Sequence, residues 1–139
     1  MLLKMKKIIL IKLLLIFAPL AFAPNSETVT ILYSPPIEPY NKLIYAIGMA
    51  ETKCDTLAYN PVEKATGYFQ IRPIRLEDYN KRTGNNYTMK EMFNYKKAEK
   101  VFLYYATQFG PYNFEKIARS WNGSGKRTIH YWNRVKKYL

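Results

Sequence analysis

The sequence predicts one mainly α domain, with at most a small hairpin, set behind an N-terminal segment of different character. Ala98, Val101, Phe102, Tyr105, Ala106 and Phe109 recur at i, i+3, i+4, i+7, i+8 and i+11, the spacing of one apolar helix face. Shorter stripes of the same period flank it, whereas the alternation in Tyr68-Phe69-Gln70-Ile71 is too brief to commit to a strand. A length of 139 residues holds one domain, and no internal repeat or low-complexity tract divides it.

The first residues do not share that pattern. Lys4, Lys6 and Lys7 precede a run from Ile8 to Ala23 that is broken only by Lys12 and ends in Ala21-Phe22-Ala23. A positive region, an apolar run and a small-x-small ending together make a secretory signal. Pro24 directly after the cut and Lys12 inside the run leave a retained membrane anchor as the alternative for residues 1–23. Either way the protein is expected to be exported, periplasmic or extracellular. Residues 24–39 hold Pro24, Pro35, Pro36 and Pro39, a composition for an extended lead-in, and the domain is expected from 40 to 139.

Within that domain the elements follow in order. Leu43, Ile44, Ile47 and Ala50 place an apolar face on a first helix, and Glu51 lies on the same face, one turn beyond Ile47. From Thr52 to Ile74, the residues Asp55, Asn60, Pro61, Gly67 and Pro73 break helical periodicity and favour loops with a short hairpin. A short helix is expected over 75–82, ended at Gly84 by a glycine cap. Thr88-Met89-Lys90-Glu91 has the capping-box pattern of a helix start, before the central helix of Ala98 to Phe109. Gly110-Pro111 stops that helix; Phe114, Ile117, Ala118 and Trp121 mark another, ended by Gly123 and Gly125. Ile129, Trp132, Val135 and Leu139 are the expected buried face of a last helix.

Charge and rare residues narrow the chemistry. The net charge is +12, and removing residues 1–30 takes away four lysines and one glutamate to leave +9. Such a balance steers the chain towards polyanions, namely wall polymers, lipopolysaccharide or nucleic acid. Export favours the envelope, and no nucleic-acid motif is present. Cys54 is the only cysteine, so no intramolecular disulfide forms, and with no nearby His it lacks a thiolate-activating partner. One His, His130, and one Cys do not supply a zinc site. No metal or cofactor is expected, and a monomer is the expected state.

Glu51 is the candidate acid. A carboxyl on an apolar face is costly to ionise, so it stays protonated towards neutral pH and can protonate a leaving oxygen. The bland alternative is a solvated Glu at a helix end. Gln70, Gly67 and Gly123 are ordinary turn residues if taken singly, and Trp121 fits a core position as well as a stacking platform. Their joint order is what is specific.

That order resembles the soluble lytic transglycosylases and goose-type lysozymes, whose pattern is a helix ending in Glu-Ser, then Gly-Ala-x-Gly-Leu-Met-Gln, then Ala-Tyr-Asn-Ala-Gly, then Tyr-Val. Here the counterparts are Glu51-Thr52, then Lys64-Ala65-Thr66-Gly67-Tyr68-Phe69-Gln70, then Ser120-Trp121-Asn122-Gly123-Ser124, then Tyr131-Trp132. Asn60-Pro61-Val62-Glu63-Lys64-Ala65-Thr66-Gly67 and Trp121-Asn122-Gly123 also look like those of phage and mobile-element muramidases. The resemblance implies a lysozyme-like fold and cleavage of peptidoglycan between N-acetylmuramic acid and N-acetylglucosamine. It implies Glu51 as the acid, Gln70 and Asn122 as sugar contacts, Tyr131 against the acid, and Tyr68 and Trp121 as aromatic members of the substrate-binding set. Lys64 departs from the first turn glycine, Gly123-Ser124 from Ala-Gly, and Trp132 from Val, the first putting the turn's backbone in question. The family uses a single acid and closes a 1,6-anhydro ring on the product. A hydrolytic muramidase needs a second carboxyl, for which Asp55 and Glu63 are the nearby candidates. A non-catalytic wall-binding protein on the same fold is the remaining alternative.

Overall fold

A computed structural model describes residues 39–139; the expected signal or anchor, and the lead-in up to residue 38, lie outside the described residues. Among the described residues there are five α-helices and one antiparallel hairpin. The order is α1 (Asn41–Thr52), β1 (Tyr59–Asn60), β2 (Ala65–Thr66), α2 (Pro73–Thr83), α3 (Tyr95–Ala106), α4 (Phe114–Asn122) and α5 (Thr128–Val135). Short 3-10 turns lie at Met89–Phe93, Thr107–Phe109 and Lys136–Tyr138. The mainly helical architecture with a small hairpin is thus observed. No helix among the described residues is long and apolar enough to cross a membrane.

Helix α1 buries Leu43, Ile44, Ala46, Ile47 and Gly48. Gly48 is needed for close approach, since a Cβ there would sit 2.0 Å from the Tyr68 ring. The helix stops just past Glu51 without a glycine: Lys53 and Cys54 take left-handed conformations, with φ of 58° and 66°, and the Cys54 N–H reaches back to the Gly48 carbonyl at 3.0 Å. The Thr52 hydroxyl lies 3.3 Å from the carbonyls of both Gly48 and Tyr68, so the end of α1 is tied to the turn after the hairpin.

In the hairpin Tyr59 pairs with Thr66 and Asn60 with Ala65. The Asn60 side-chain oxygen accepts from the backbone of Val62 at 3.0 Å and Glu63 at 3.3 Å, an Asx turn that folds the loop. The chain then turns tightly over Gly67–Gln70. Thr66 and Ile71 exchange two backbone bonds of 3.0 Å, and Gln70 N–H closes on the Gly67 carbonyl at 3.0 Å. Phe69, at the tip of this turn, is fully buried and stacks on Phe102 of α3 at 4.8 Å. Its carbonyl accepts the Trp121 indole N–H at 3.1 Å, so one turn is held by α3 and α4 together.

Three expectations about boundaries and faces are corrected. Helix α2 begins at Pro73 rather than 75, because proline lacks an N–H and suits the first helical position. The capping box forms, with the Thr88 N–H 2.8 Å from the Glu91 carboxylate, but opens only a 3-10 turn. That turn buries Met92 and lays its carbonyl beside Gly67, after which Asn94 caps α3 afresh through Lys97 N–H at 3.1 Å. In α5 the inward face is Thr128, Tyr131 and Val135, whereas Ile129 and Trp132 are half-buried and Leu139 is exposed. Polar anchoring decides that rotation: Thr128 Oγ1 donates to the Gly125 carbonyl at 2.7 Å and Tyr131 finds a partner on α1.

Gly67 is the glycine packed most tightly against another stretch of backbone. Its φ is +75° and a Cβ would lie 2.1 Å from the Met92 carbonyl oxygen, whereas Gly84, with φ +71°, has nothing within 4 Å. Gly67→Ala is expected to cost about 3 kcal/mol or more, and Gly84→Ala only the left-handed backbone penalty of about 1 kcal/mol. Urea unfolding of the two variants separates the contributions.

Candidate active site

The last turn of α1, the Gln70 turn, the start of α2 and the end of α4 converge on a recess of about 70 Å³. It is lined by Glu51, Gln70, Arg72, Ile74, Arg75, Trp121 and Asn122. Four of the sequence candidates, Glu51, Gln70, Trp121 and Asn122, are thereby brought together from parts of the chain far apart. Tyr131 joins them from α5, donating its hydroxyl to Glu51 Oε1 at 2.7 Å.

Burial raises the Glu51 carboxyl above its ordinary value of 4.5, and desolvation is the largest effect. The Tyr131 bond and the positive charges of Arg134 and Arg72 pull it down, while the negative Glu63 adds to the rise. Tyr131 is itself pushed well above its ordinary value, by burial first and then by the Glu51 charge, so it remains a proton-bearing donor. The pair can therefore hold a protonated acid and also stabilise the carboxylate left when that proton departs.

The two aromatic candidates differ in placement. Trp121 borders the recess, but its ring packs edge-on to Phe102 at 5.1 Å and is covered by the Arg75 guanidinium at 4.6 Å. Tyr68 is buried outside the recess: its ring lies against Gly48, and its hydroxyl stands 3.4 Å from the Cys54 sulfur and the Ile44 carbonyl. Gln70 turns its side-chain N–H group back on the Gly67 carbonyl at 3.1 Å.

Sequence reasoning missed the arginines. Arg75 stacks between Tyr105 and Trp121 and donates to the carbonyls of Ser120 at 3.2 Å and Trp121 at 3.1 Å, fixing the end of α4 that carries Asn122. Arg72 is held by a two-pronged ion pair with Glu63, with contacts of 3.1 and 3.0 Å. The available signal was Pro73 directly after the Gln70 turn, which makes residues 72–75 the opening of a helix beside that turn.

Backbone strain marks the same region. Among the described residues, the non-glycine positions with positive φ are Lys53, Cys54, Lys64 and Gln70, all between Glu51 and Arg72. Each costs about 1–3 kcal/mol and persists only when its surroundings enforce it, a pattern common at functional sites. Lys64 adopts φ 52°, a left-handed backbone that glycine takes more readily than lysine. Asp55 and Glu63 do not line the recess. Asp55 caps its loop through the Leu57 N–H at 2.8 Å.

A larger hollow of about 620 Å³ lies along α4 and the loop to α5. The carboxyl on its wall, Glu115, is exposed and paired with Arg119 at 3.0 Å, whereas the smaller recess holds the desolvated Glu51, which makes that recess the better candidate for chemistry. No family model, curated protein or solved structure matches this chain.

The raised Glu51 value sets the sign of a stability measurement. A carboxyl whose folded value exceeds its unfolded one stabilises the fold fully below about 4.5, and that contribution is lost as pH rises through the folded value. Glu51→Gln keeps an acceptor for Tyr131 and carries no charge. It is expected to be more stable than the parent at neutral pH, with the advantage vanishing below pH 4.5. Chemical unfolding of both proteins across pH tests this.

Proposed function

We propose that this protein is an exported, lysozyme-like glycosidase that cuts the glycan strands of peptidoglycan, between N-acetylmuramic acid and N-acetylglucosamine, by the lytic transglycosylase route. The observation that carries the proposal is a partly buried acid with a raised pKa, bonded to Tyr131, in a recess shared with Gln70 and Asn122 and lined by no other carboxyl. The order of these residues along the chain is that of the transglycosylase pattern, and a mainly helical architecture with a small hairpin is compatible with the fold it implies.

In this mechanism Glu51 gives its proton to the glycosidic oxygen as the bond from C1 to that oxygen breaks. Positive charge develops at C1 of the muramic acid unit. The Glu51 carboxylate, stabilised by the Tyr131 hydroxyl and the positive field of Arg134 and Arg72, then takes the proton of the sugar's own C6 hydroxyl. That oxygen closes on C1 to give the 1,6-anhydro ring, and Glu51 is again protonated. The recess, with room for about two waters, receives the scissile linkage while the strand lies across its mouth. The basic surface holds the enzyme on an anionic wall, in a manner that salt weakens.

Hydrolysis is the second reading, favoured by one observation: Glu63 is paired with Arg72, which lines the recess, and so brings a second carboxyl to its edge. Mass spectrometry of the soluble products from purified peptidoglycan tests both. Products ending in 1,6-anhydro-muramic acid from the parent, and at least a hundredfold fewer from Glu51→Gln, a typical loss for removing a general acid, are expected. Reducing ends would replace this route with hydrolysis, and a folded parent that binds wall but yields no product would leave a non-catalytic binding protein.

A further inference from the structure

Positive charge is distributed unevenly along the chain. After Glu115 there is no further Asp or Glu, while Lys116, Arg119, Lys126, Arg127, Arg134, Lys136 and Lys137 all follow. The hollow of about 620 Å³ is built from this stretch, with Phe109, Lys116, Arg119, Ser120, Gly123 and Lys126 among its walls. Arg119 is already engaged, donating to Glu115 at 3.0 Å and to the Thr128 hydroxyl at 3.1 Å. That pairing neutralises the one carboxylate lining the hollow and props its wall. Lys116 and Lys126 are exposed and belong to none of the ion pairs among the described residues. The Lys116 ammonium rests over the Phe109 ring, 5.4 Å from its centre, which holds the charge at the rim. A concave surface with two uncompensated cations facing a shared space attracts a ligand with fixed negative charge.

The hollow also adjoins the acid's recess. Ser120 and Gly123 line the hollow, Trp121 and Asn122 the recess, so both share the last turn of α4.

We propose that this hollow is a second binding site, taking a carboxylate or phosphate group of the polymer whose glycan backbone occupies the Glu51 recess; it rests on the glycosidase reading for the identity of that polymer. Two sources carry this chemistry: the carboxylates of the wall's peptide stems, and the phosphodiesters of a wall-linked phosphate polymer.

The test measures equilibrium binding by the full chain carrying Glu51→Gln, so that no substrate is consumed. The ligands are peptide-bearing wall stripped of phosphate polymer, peptide-free glycan, and a poly(glycerol phosphate). Lys116→Gln/Lys126→Gln is compared with Lys81→Gln/Lys90→Gln, which removes the same charge from exposed sites outside the hollow. The hollow pair is expected to weaken binding of the anionic ligand about tenfold, as two partly screened contacts together. The control pair is expected to change it less than about twofold, the effect of a distant screened charge. Weakening confined to peptide-bearing wall assigns the peptide carboxylate, and weakening confined to poly(glycerol phosphate) assigns the phosphate. Equal effects of the two pairs on both ligands overturn the proposal. Peptide-free glycan separates the two readings: if the Glu51→Gln chain does not bind it while the hollow pair still weakens binding of poly(glycerol phosphate), the glycosidase reading fails and the anion site stands.

Discussion

The bond from the Tyr131 hydroxyl to the Glu51 carboxyl is the interaction on which the candidate site depends. It joins positions 80 residues apart and links the first helix to the last. Burying a carboxyl without a partner is among the costlier things a small domain can do. The tyrosine supplies a donor that serves both protonation states, and no cation in contact is needed, which would abolish the raised pKa. The inward rotation of α5 follows from this requirement. Its more apolar face, through Ile129 and Trp132, is left half-buried so that Tyr131 can point at α1.

A second constraint is geometric. The chain must leave α1 immediately after Glu51, pass through a hairpin, and return Gln70 to the acid within nineteen residues. It does so through left-handed turns at Lys53, Cys54, Lys64 and Gln70, where glycine would be cheaper. What enforces them is packing on one side and hydrogen bonding on the other: Phe69 buried against Phe102, and the Trp121 indole bonded to the Phe69 carbonyl. Arg75 completes the arrangement by clamping the end of α4 against α2. Strain in the turn is thus set against burial in the core.

Much of this was legible in the sequence because it is written in periodicity. The apolar stripes of α1, α3 and α4 identified their helices, and the position of Glu51 on the α1 stripe singled it out as a candidate acid, with the family resemblance adding weight. Asn122 and Gln70 were found only through the joint order of several weak motifs, since each is unremarkable alone. What could not be read is what depends on contacts between distant residues. Periodicity misassigned part of the α5 face because Ile129 and Trp132 offer as good an apolar stripe as Thr128 and Tyr131; the bonds of Thr128 to Gly125 and of Tyr131 to Glu51 decide between them, and only the resemblance had implied the second. The capping box at Thr88 opens a 3-10 turn in place of the expected helix, because such a box specifies a turn and not how many turns follow. Tyr68 looked like a cleft aromatic, yet a glycine at position 48 makes room for its ring within the core.

The central claim is that Glu51 is a partly buried acid whose carboxyl stays protonated above the ordinary carboxylate range. The most direct measurement is a 13C NMR titration of the glutamate side-chain carboxyls, with the Glu51 signal assigned by its absence in Glu51→Gln. The account predicts that this one signal titrates clearly above 4.5 and that its midpoint rises further in Tyr131→Phe, because the lost hydrogen bond favoured the charged form. A Glu51 midpoint at or below 4.5, unmoved by Tyr131→Phe, would contradict it.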